Sequence, residues 1–429
     1  MTETQPLWRR IAAAMPRAAF AFALLCLLIL PMVPSGQAQT FSVLHDFTGF
    51  DGSDPEAGLT IDGEGNFYGI ASRGGYFGDF CARNRGCGTV FKMTHDGSDW
   101  VFQTLYVFQS QSKAMRSEAA SPFGRVTLRP DGTLYGTSYY GGWEVCNGGC
   151  GTVYRLTPPT VCSTLQCLWT ESLIFPFNQA DGTYPMGDLA FDQAGNIYGT
   201  TFFGGISDQG TAYEITDSEN GWTQTELLRF GAGPKPGGAR PYKAGLIFDQ
   251  AGNLYGTTDE GGKYRQGTVF QIVPSGRGWT EITLHDFTAG YDGGGLHSDL
   301  VMDSAGNMYG ANSNGGMWGY GNVYELSPSA NGWVFNVVYS FVPPSGGPAA
   351  SLIFDPAGNL YGTNTAGNGA VFKLSPGQSG WTYTELHTFS GSDGSYPLGS
   401  LVMDSHGNLF GTASDGGKYG FGTIFELTP

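Results

Sequence analysis

One phrase, D-x-x-G-N-hydrophobic-aromatic-G, recurs along almost the whole 429-residue chain. It reads DGEGNFYG from Asp62, DQAGNIYG from Asp192 and DQAGNLYG from Asp249. It continues as DSAGNMYG from Asp303, DPAGNLYG from Asp355 and DSHGNLFG from Asp404, and a shortened copy, RPDGTLYG, ends at Tyr135–Gly136. The phrase aromatic falls at Tyr68, Tyr135, Tyr198, Tyr255, Tyr309, Tyr361 and Phe410, at intervals of 67, 63, 57, 54, 52 and 49 residues. Periods of this size belong to arrays in which one unit cannot bury its own core and must stack on its neighbours. The repeat constrains architecture far more than activity.

The fourth unit shows what one period contains. AGLIFD (Ala244–Asp249) is mostly apolar, as a strand buried on both faces would be. QAGN is a turn in which Asp249 can bond the local backbone. LYGTT (Leu254–Thr258) reads as a second strand, and DEGGKYRQG as a polar, Gly-rich loop. TVFQIV (Thr268–Val273) reads as a third strand, PSGRG as a turn, and WTEITLHDF (Trp279–Phe287) as a fourth strand. Four antiparallel strands in about 50 residues match one propeller blade, and seven units give a seven-bladed, all-β propeller. A parallel β-helix has far shorter coils, and no unit has enough strands to close a sandwich by itself.

The two ends of the chain carry one blade between them. The last unit stops after its third strand, at GTIFELTP (Gly422–Pro429), whereas the segment TFSVLHDFTG (Thr40–Gly49) matches the fourth strands ITLHDFTAG and TELHTFSG. Phe41–Phe47 is therefore expected to be the outer strand of blade 7, a clasp that removes two open sheet edges.

Residues 1–38 have the form of a secretory signal peptide. Arg9, Arg10 and Arg17 precede an apolar run from Ala18 to Leu30, and Gly36-Gln37-Ala38 supplies small residues for cleavage. That run is short for a bilayer span, and Leu25 before Cys26 argues against lipidation. The propeller domain is expected over 39–429. Removing Glu3 and the three arginines takes the formal charge from −16 to −18. An acidic surface disfavours nucleic acid and anionic lipid, and no other stretch approaches 18 apolar residues, so neither nucleic-acid binding nor membrane insertion of the mature chain is expected.

The six remaining cysteines fall in close pairs, Cys81 with Cys87, Cys146 with Cys150 and Cys162 with Cys167. An even count in an exported chain reads as disulfides, and these spacings without a nearby His suit zinc poorly. Stacked sheets lie about 10 Å apart, beyond disulfide reach, so pairing within each loop is expected over a Cys87–Cys150 link.

The combination D-x-x-G-N-L-Y-G-T, then G-G, then G-T-V-F-x-L resembles the GloVer tandem-repeat family of exported bacterial proteins, over roughly residues 40–429. The resemblance implies a secreted or surface repeat protein without an assigned activity, and it transfers no catalytic residue. Many members of that family end in an added anchoring domain. This chain reads to Pro429 with no hydrophobic tail, so anchoring by that route is not expected.

His45, His285 and His387 share one position of the fourth strand, which implies a structural role on separate blades rather than one metal set. His95, His297 and His406 are isolated. The repeated aspartates lack the terminal Glu of a calcium loop, and the turn explains each of them; no metal or cofactor is expected. Trp100, Trp222, Trp279, Trp333 and Trp381 open fourth strands at fixed phase, as packing residues do. Trp143 and Trp318 lie outside that phase, in loops between second and third strands that also hold Tyr76, Phe77, Phe80, Tyr139, Tyr140, Phe202, Phe203, Tyr264, Tyr320, Tyr419 and Phe421. In propellers these loops share a face with the blade-to-blade connections, here bearing Asp181, Tyr184, Tyr242, Asp292, Asp393 and Tyr396. Aromatic rings beside carboxylates suit sugars, with their apolar CH faces and polar edges. Trp143, Trp318, Tyr140 and Tyr320 are the candidate ligand residues.

No serine-hydrolase, zinc-protease, P-loop or dinucleotide motif is present. The leading expectation is a secreted or periplasmic binding module, its partner a glycan or an extracellular protein. A carbohydrate-active hydrolase or lyase using loop-face carboxylates is the first alternative, and a structural envelope protein the second.

Overall fold

A computed structural model describes residues 39–78, 81, 85–97, 99–109, 118–143, 145–161, 167–231, 237–276, 278–348 and 350–429. The predicted signal peptide, Phe80 and Cys162 lie outside the described residues. The elements sort into seven antiparallel four-strand sheets, the blades of a β-propeller. Blade 4 follows the sequence reading closely, with strands Ile247–Phe248, Leu254–Thr258, Thr268–Ser275 and Gly278–Asp286.

Two details of that reading change. The first strand is two residues long and half-buried, not six and fully buried. Ala244–Leu246 leaves the ladder because its backbone bonds neighbouring blades instead: the Ala244 carbonyl accepts the Thr200 hydroxyl, and the Gly245 N–H donates to Asp299. The turn before the fourth strand is also tighter, since Pro274 and Ser275 remain paired with Trp279 and Gly278.

The recurring phrase residues each have a physical cause. The aspartate closes the turn between first and second strands. Asp249 accepts the Asn253 backbone N–H at 2.9 Å, its side-chain amide at 2.7 Å and the Tyr255 hydroxyl at 2.9 Å. Asp62, Asp192 and Asp355 repeat the pattern with their own Asn and Tyr. Burial alone would push these carboxyls up, but the donors outweigh it and hold them below the ordinary range. The glycine after the aromatic makes room for the third strand: a Cβ at Gly256 would lie 2.7 Å from the Phe270 ring. The threonine that follows stitches blade to blade. Thr137 donates to the Gly187 carbonyl, Thr200 to Ala244 and Thr257 to Ser298, each on the next blade.

Seven apolar clusters fill the seven gaps between blades. The cluster between blades 3 and 4 joins Tyr198, Ala212 and Leu227 to Leu246, Leu254, Phe270 and Ile272. The packing tryptophans seal these gaps from the fourth strands, as Trp333 does against Tyr255 on the preceding blade, 6.0 Å between ring centres.

The ring closes as expected. Thr40–Asp46 pairs antiparallel with Thr423–Thr428, completing blade 7. Phe47, fully buried, then packs on Phe91 of blade 1 at 5.4 Å. Thr412 adds a second closure by donating to the Ala57 carbonyl, 355 residues away in the chain.

Cys81–Cys87 and Cys146–Cys150 are disulfides within their loops, with Cα–Cα distances of 4.9 and 5.1 Å. Cys167 is disulfide-bonded as well; its expected partner, Cys162, lies outside the described residues.

Candidate functional site

The connections between blades and the loops between second and third strands lie side by side on one face. In every blade a backbone pairing joins them: Ser53 with Arg73, Ala119 with Gly141, Thr183 with Phe203, Gly238 with Gly261, Gly294 with Asn314, Pro348 with Asn364 and Ser395 with Asp415. The close approach demands glycine. At Gly315, φ is +73° and a Cβ would meet the Gly290 carbonyl at 2.7 Å.

Each connection ends in a three-residue stretch just ahead of the first strand, and these stretches converge on the axis. Glu56-Ala57-Gly58, Phe123-Gly124-Arg125, Met186-Gly187-Asp188, Lys243-Ala244-Gly245, His297-Ser298-Asp299, Ala350-Ser351 and Leu398-Gly399-Ser400 come from all seven blades. Residues of every stretch line a narrow axial space of about 40 Å3. The small residues let seven backbones meet, and the charged ones pair across the opening. Lys243 Nζ lies 2.9 Å from Glu56, and Arg125 Nε lies 2.9 Å from Asp188. The Asp188 and Asp299 carboxyls both line this space; burial first, then the Asp188 charge, pushes Asp299 well above the ordinary carboxylate range. His297 is 3.1 Å from Asp259 and 4.9 Å from the Tyr242 ring.

Above this axial cluster runs an arc of half-buried rings. Phe123 is 6.1 Å from Tyr139, which stacks on Tyr184 at 4.3 Å. Tyr184 meets Phe203 at 6.3 Å, Phe203 meets Phe202 at 4.2 Å, and Phe202 meets Tyr242 at 5.2 Å. The arc spans blades 2 to 4 and reaches His297 of blade 5. At its start it borders a cavity of about 500 Å3 between blades 1 and 2. Glu56, Ser72, Arg73, Arg85 and Ser121 line this cavity, with Phe123, Tyr139 and Tyr140 among its walls. Its size is that of an ordinary small-molecule site.

Of the sequence candidates, Tyr140 lines the cavity. Trp143, 40% exposed, follows Gly141–Gly142 in the same loop of blade 2. Trp318 and Tyr320, 55% and 41% exposed, stand together in the corresponding loop of blade 5, apart from the cavity. His45, His285 and His387 each meet a local carboxylate, Asp51, Asp292 and Asp393, and each stacks on one ring, Phe102, Phe335 and Phe41. Among the described residues no group of three or more His, Cys, Asp or Glu converges as a metal site would.

Sequence reading missed Glu56, Arg73, Arg85, Phe123, Arg125, Asp188, Lys243, His297 and Asp299. A signal was present: in a column of the repeat otherwise filled by Gly and Ser, charges stand at Arg125, Asp188 and Asp299.

The fold and this face define a seven-bladed propeller with a polar axial cluster beneath an aromatic mouth. The chain belongs to the Gloeobacter/Verrucomicrobia repeat family, whose repeat matches residues 32–171, 145–368 and 334–429. No curated protein matches the sequence. Among solved structures, the extracellular domain of a proposed hybrid two-component system from B. thetaiotaomicron superposes with a TM-score of 0.53 at 12% identity, over 90% of this chain and 39% of that one. A periplasmic gluconolactonase of Pseudomonas aeruginosa gives 0.47 at 18% identity, covering 78% and 84%. A Dyadobacter fermentans protein of unknown function gives 0.45 at 12% identity, covering 90% and 98%. The first of these shares the fold; none carries an activity across.

Proposed function

We propose that this protein is an exported, non-enzymatic carbohydrate-binding propeller that holds its ligand on the face of the second-to-third-strand loops. The observation that carries the reading is the arc of half-buried rings leading into a 500 Å3 cavity lined by hydroxyls and charged groups. Flat rings cover the CH face of a sugar, while Ser121, Glu56 and Arg73 offer polar groups to its hydroxyls. Trp143 and Trp318 add exposed platforms on two blades for a longer chain. Local disulfides support export, because such bonds persist in oxidising compartments.

One observation favours an enzyme, a carbohydrate-active hydrolase or lyase. Asp188 and Asp299 line the same axial space, and burial holds the Asp299 carboxyl above the ordinary range, as in the acid of a glycosidase. The space at that pair, about 40 Å3, admits water but no sugar ring, and binding is therefore the better reading.

A glycan and polysaccharide array on the mature protein tests this. Saturable binding of a glycan family, with no release of reducing ends, supports the binder. Release of reducing ends that D299N abolishes moves the enzyme ahead. An array without a single binding glycan rejects both and favours the structural envelope role.

A further inference from the structure

We propose that the cavity between blades 1 and 2 takes a saccharide bearing a carboxylate, and that Arg85 recognises that group; this rests on the carbohydrate reading above. The other cations at the cavity and the axis are all answered. Arg73 lies 2.8 Å from Asp54, Lys243 2.9 Å from Glu56 and Arg125 2.9 Å from Asp188. Arg85 lines the same cavity, and among the described residues its guanidinium has no carboxylate partner. In a chain with 37 acids against 21 bases, carboxylates are plentiful. What sets Arg85 apart is its place: an unpaired cation on a cavity wall is open to an anion brought from outside.

The backbone of Arg85 is fixed for this task. It sits inside the Cys81–Cys87 disulfide loop with φ at +62°. Its carbonyl accepts the Gly74 N–H at 2.9 Å, and the next residue, Gly86, donates to the Cys81 carbonyl at 2.8 Å. Gly86 packs so closely on the Gly74 backbone that a Cβ would lie 2.2 Å from it. Covalent and hydrogen-bonded clamps thus hold the base of the side chain while its head stays exposed.

A second, independent group awaits a ligand in the same wall. The Ser72 hydroxyl is buried, with no hydrogen-bond partner among the described residues. A buried hydroxyl without a partner is costly, and a turn of the Ser72 side chain into the cavity would bring it to a sugar hydroxyl. Across the cavity stand the Phe123, Tyr139 and Tyr140 rings.

The class of anion follows from charge and shape. The planar guanidinium fork matches a carboxylate with two parallel hydrogen bonds. A densely charged polyanion is repelled by a protein of net charge −16. The fitting ligand is a mainly neutral saccharide with an isolated uronic acid.

The test is calorimetric titration of the mature protein with a panel of otherwise neutral oligosaccharides of different backbones. Each carries one uronic acid and is paired with the same compound reduced at its carboxyl to the alcohol. The expected result is that acidic members bind at least ten-fold more tightly than their reduced partners. In R85Q that preference vanishes while the reduced compounds bind as before and the melting temperature is unchanged; R85K recovers part of it. Equal binding of acidic and reduced partners by the wild type, or undiminished preference in R85Q, overturns the proposal and leaves the carbohydrate reading standing. A panel in which nothing binds, acidic or reduced, removes the proposal and the reading together.

Discussion

The Lys243 ammonium of blade 4 meets the Glu56 carboxylate of blade 1 at 2.9 Å, across the axis of the ring and 187 residues away in the chain. Both side chains are about one-fifth exposed, and Lys243 also lies over the Phe123 ring at 4.8 Å. Blades three places apart are thereby joined where no strand pairing can reach. Removing one partner leaves the other charge half-buried and alone. Lys243→Met is expected to cost about 2 kcal/mol in chemical denaturation. The double replacement Glu56→Gln with Lys243→Met should cost less than the sum of the two single changes; strict additivity would show that the pair contributes nothing to closing the ring.

Asp299 gives the axis a pH signature. Asp188, Arg125, the Gly245 N–H and, through its own backbone N–H, Ser351 surround it, with His297 two residues before. Burial first, then Asp188, pushes its carboxyl from the usual 3.8 up to about 7. The folded state therefore keeps a proton that the unfolded chain has already lost. That contribution to stability is complete below about pH 4 and disappears as pH rises through about 7. Relative to Asp299→Asn, which cannot ionise, the wild type should melt at progressively lower temperature between pH 5 and pH 8. A wild-type-minus-variant difference that stays flat across that range would refute this account of the axial cluster.

The clasp is the next target. Phe47 is wholly buried between the closing blade and blade 1, where it touches the Leu59, Phe67 and Phe91 cluster. Phe47→Ala should lose about 3 to 5 kcal/mol, as large-to-small changes in a core do, and deleting residues 39–49 should do more, by freeing the edges of blade 7. Thermal melts decide it: a shortened protein that unfolds at the wild-type temperature means that Thr40–Asp46 does not hold the ring.

Trp143 and Trp318 test the reach of the binding face. Each is at least 40% exposed in its loop, so alanine at either should shift stability by less than about 1 kcal/mol. If a long glycan crosses the face, each replacement should weaken its binding several-fold while leaving a short ligand of the cavity untouched. Unchanged affinity for the long glycan in both variants would confine the site to the cavity.

Much of the fold is written locally. Asp249, Asn253 and Tyr255 lie within seven residues and bond one another, so the turn is visible from the phrase alone. The match between Phe41–Phe47 and other fourth strands announces the clasp, because a strand leaves the same alternation wherever the chain is cut. The length of the first strand was not legible. Ala244–Leu246 has strand composition, but its hydrogen bonds go to Thr200 and Asp299 on blades 3 and 5, and composition does not show which partner a backbone will take.

The seven-fold repeat, the blade, the closure of the ring and the disulfides Cys81–Cys87 and Cys146–Cys150 are legible in the chain itself, because each depends on residues near one another or on a pattern copied along it. The site is a product of the closed ring. Glu56, Arg125, Asp188, Lys243 and Asp299 are spread over four intervals of the repeat and meet only when the ring brings one position of each blade to a common axis. Which charge faces which, and whether Arg85 is answered, depends on the angular places of the blades, a property of the closed ring that no single stretch of chain contains.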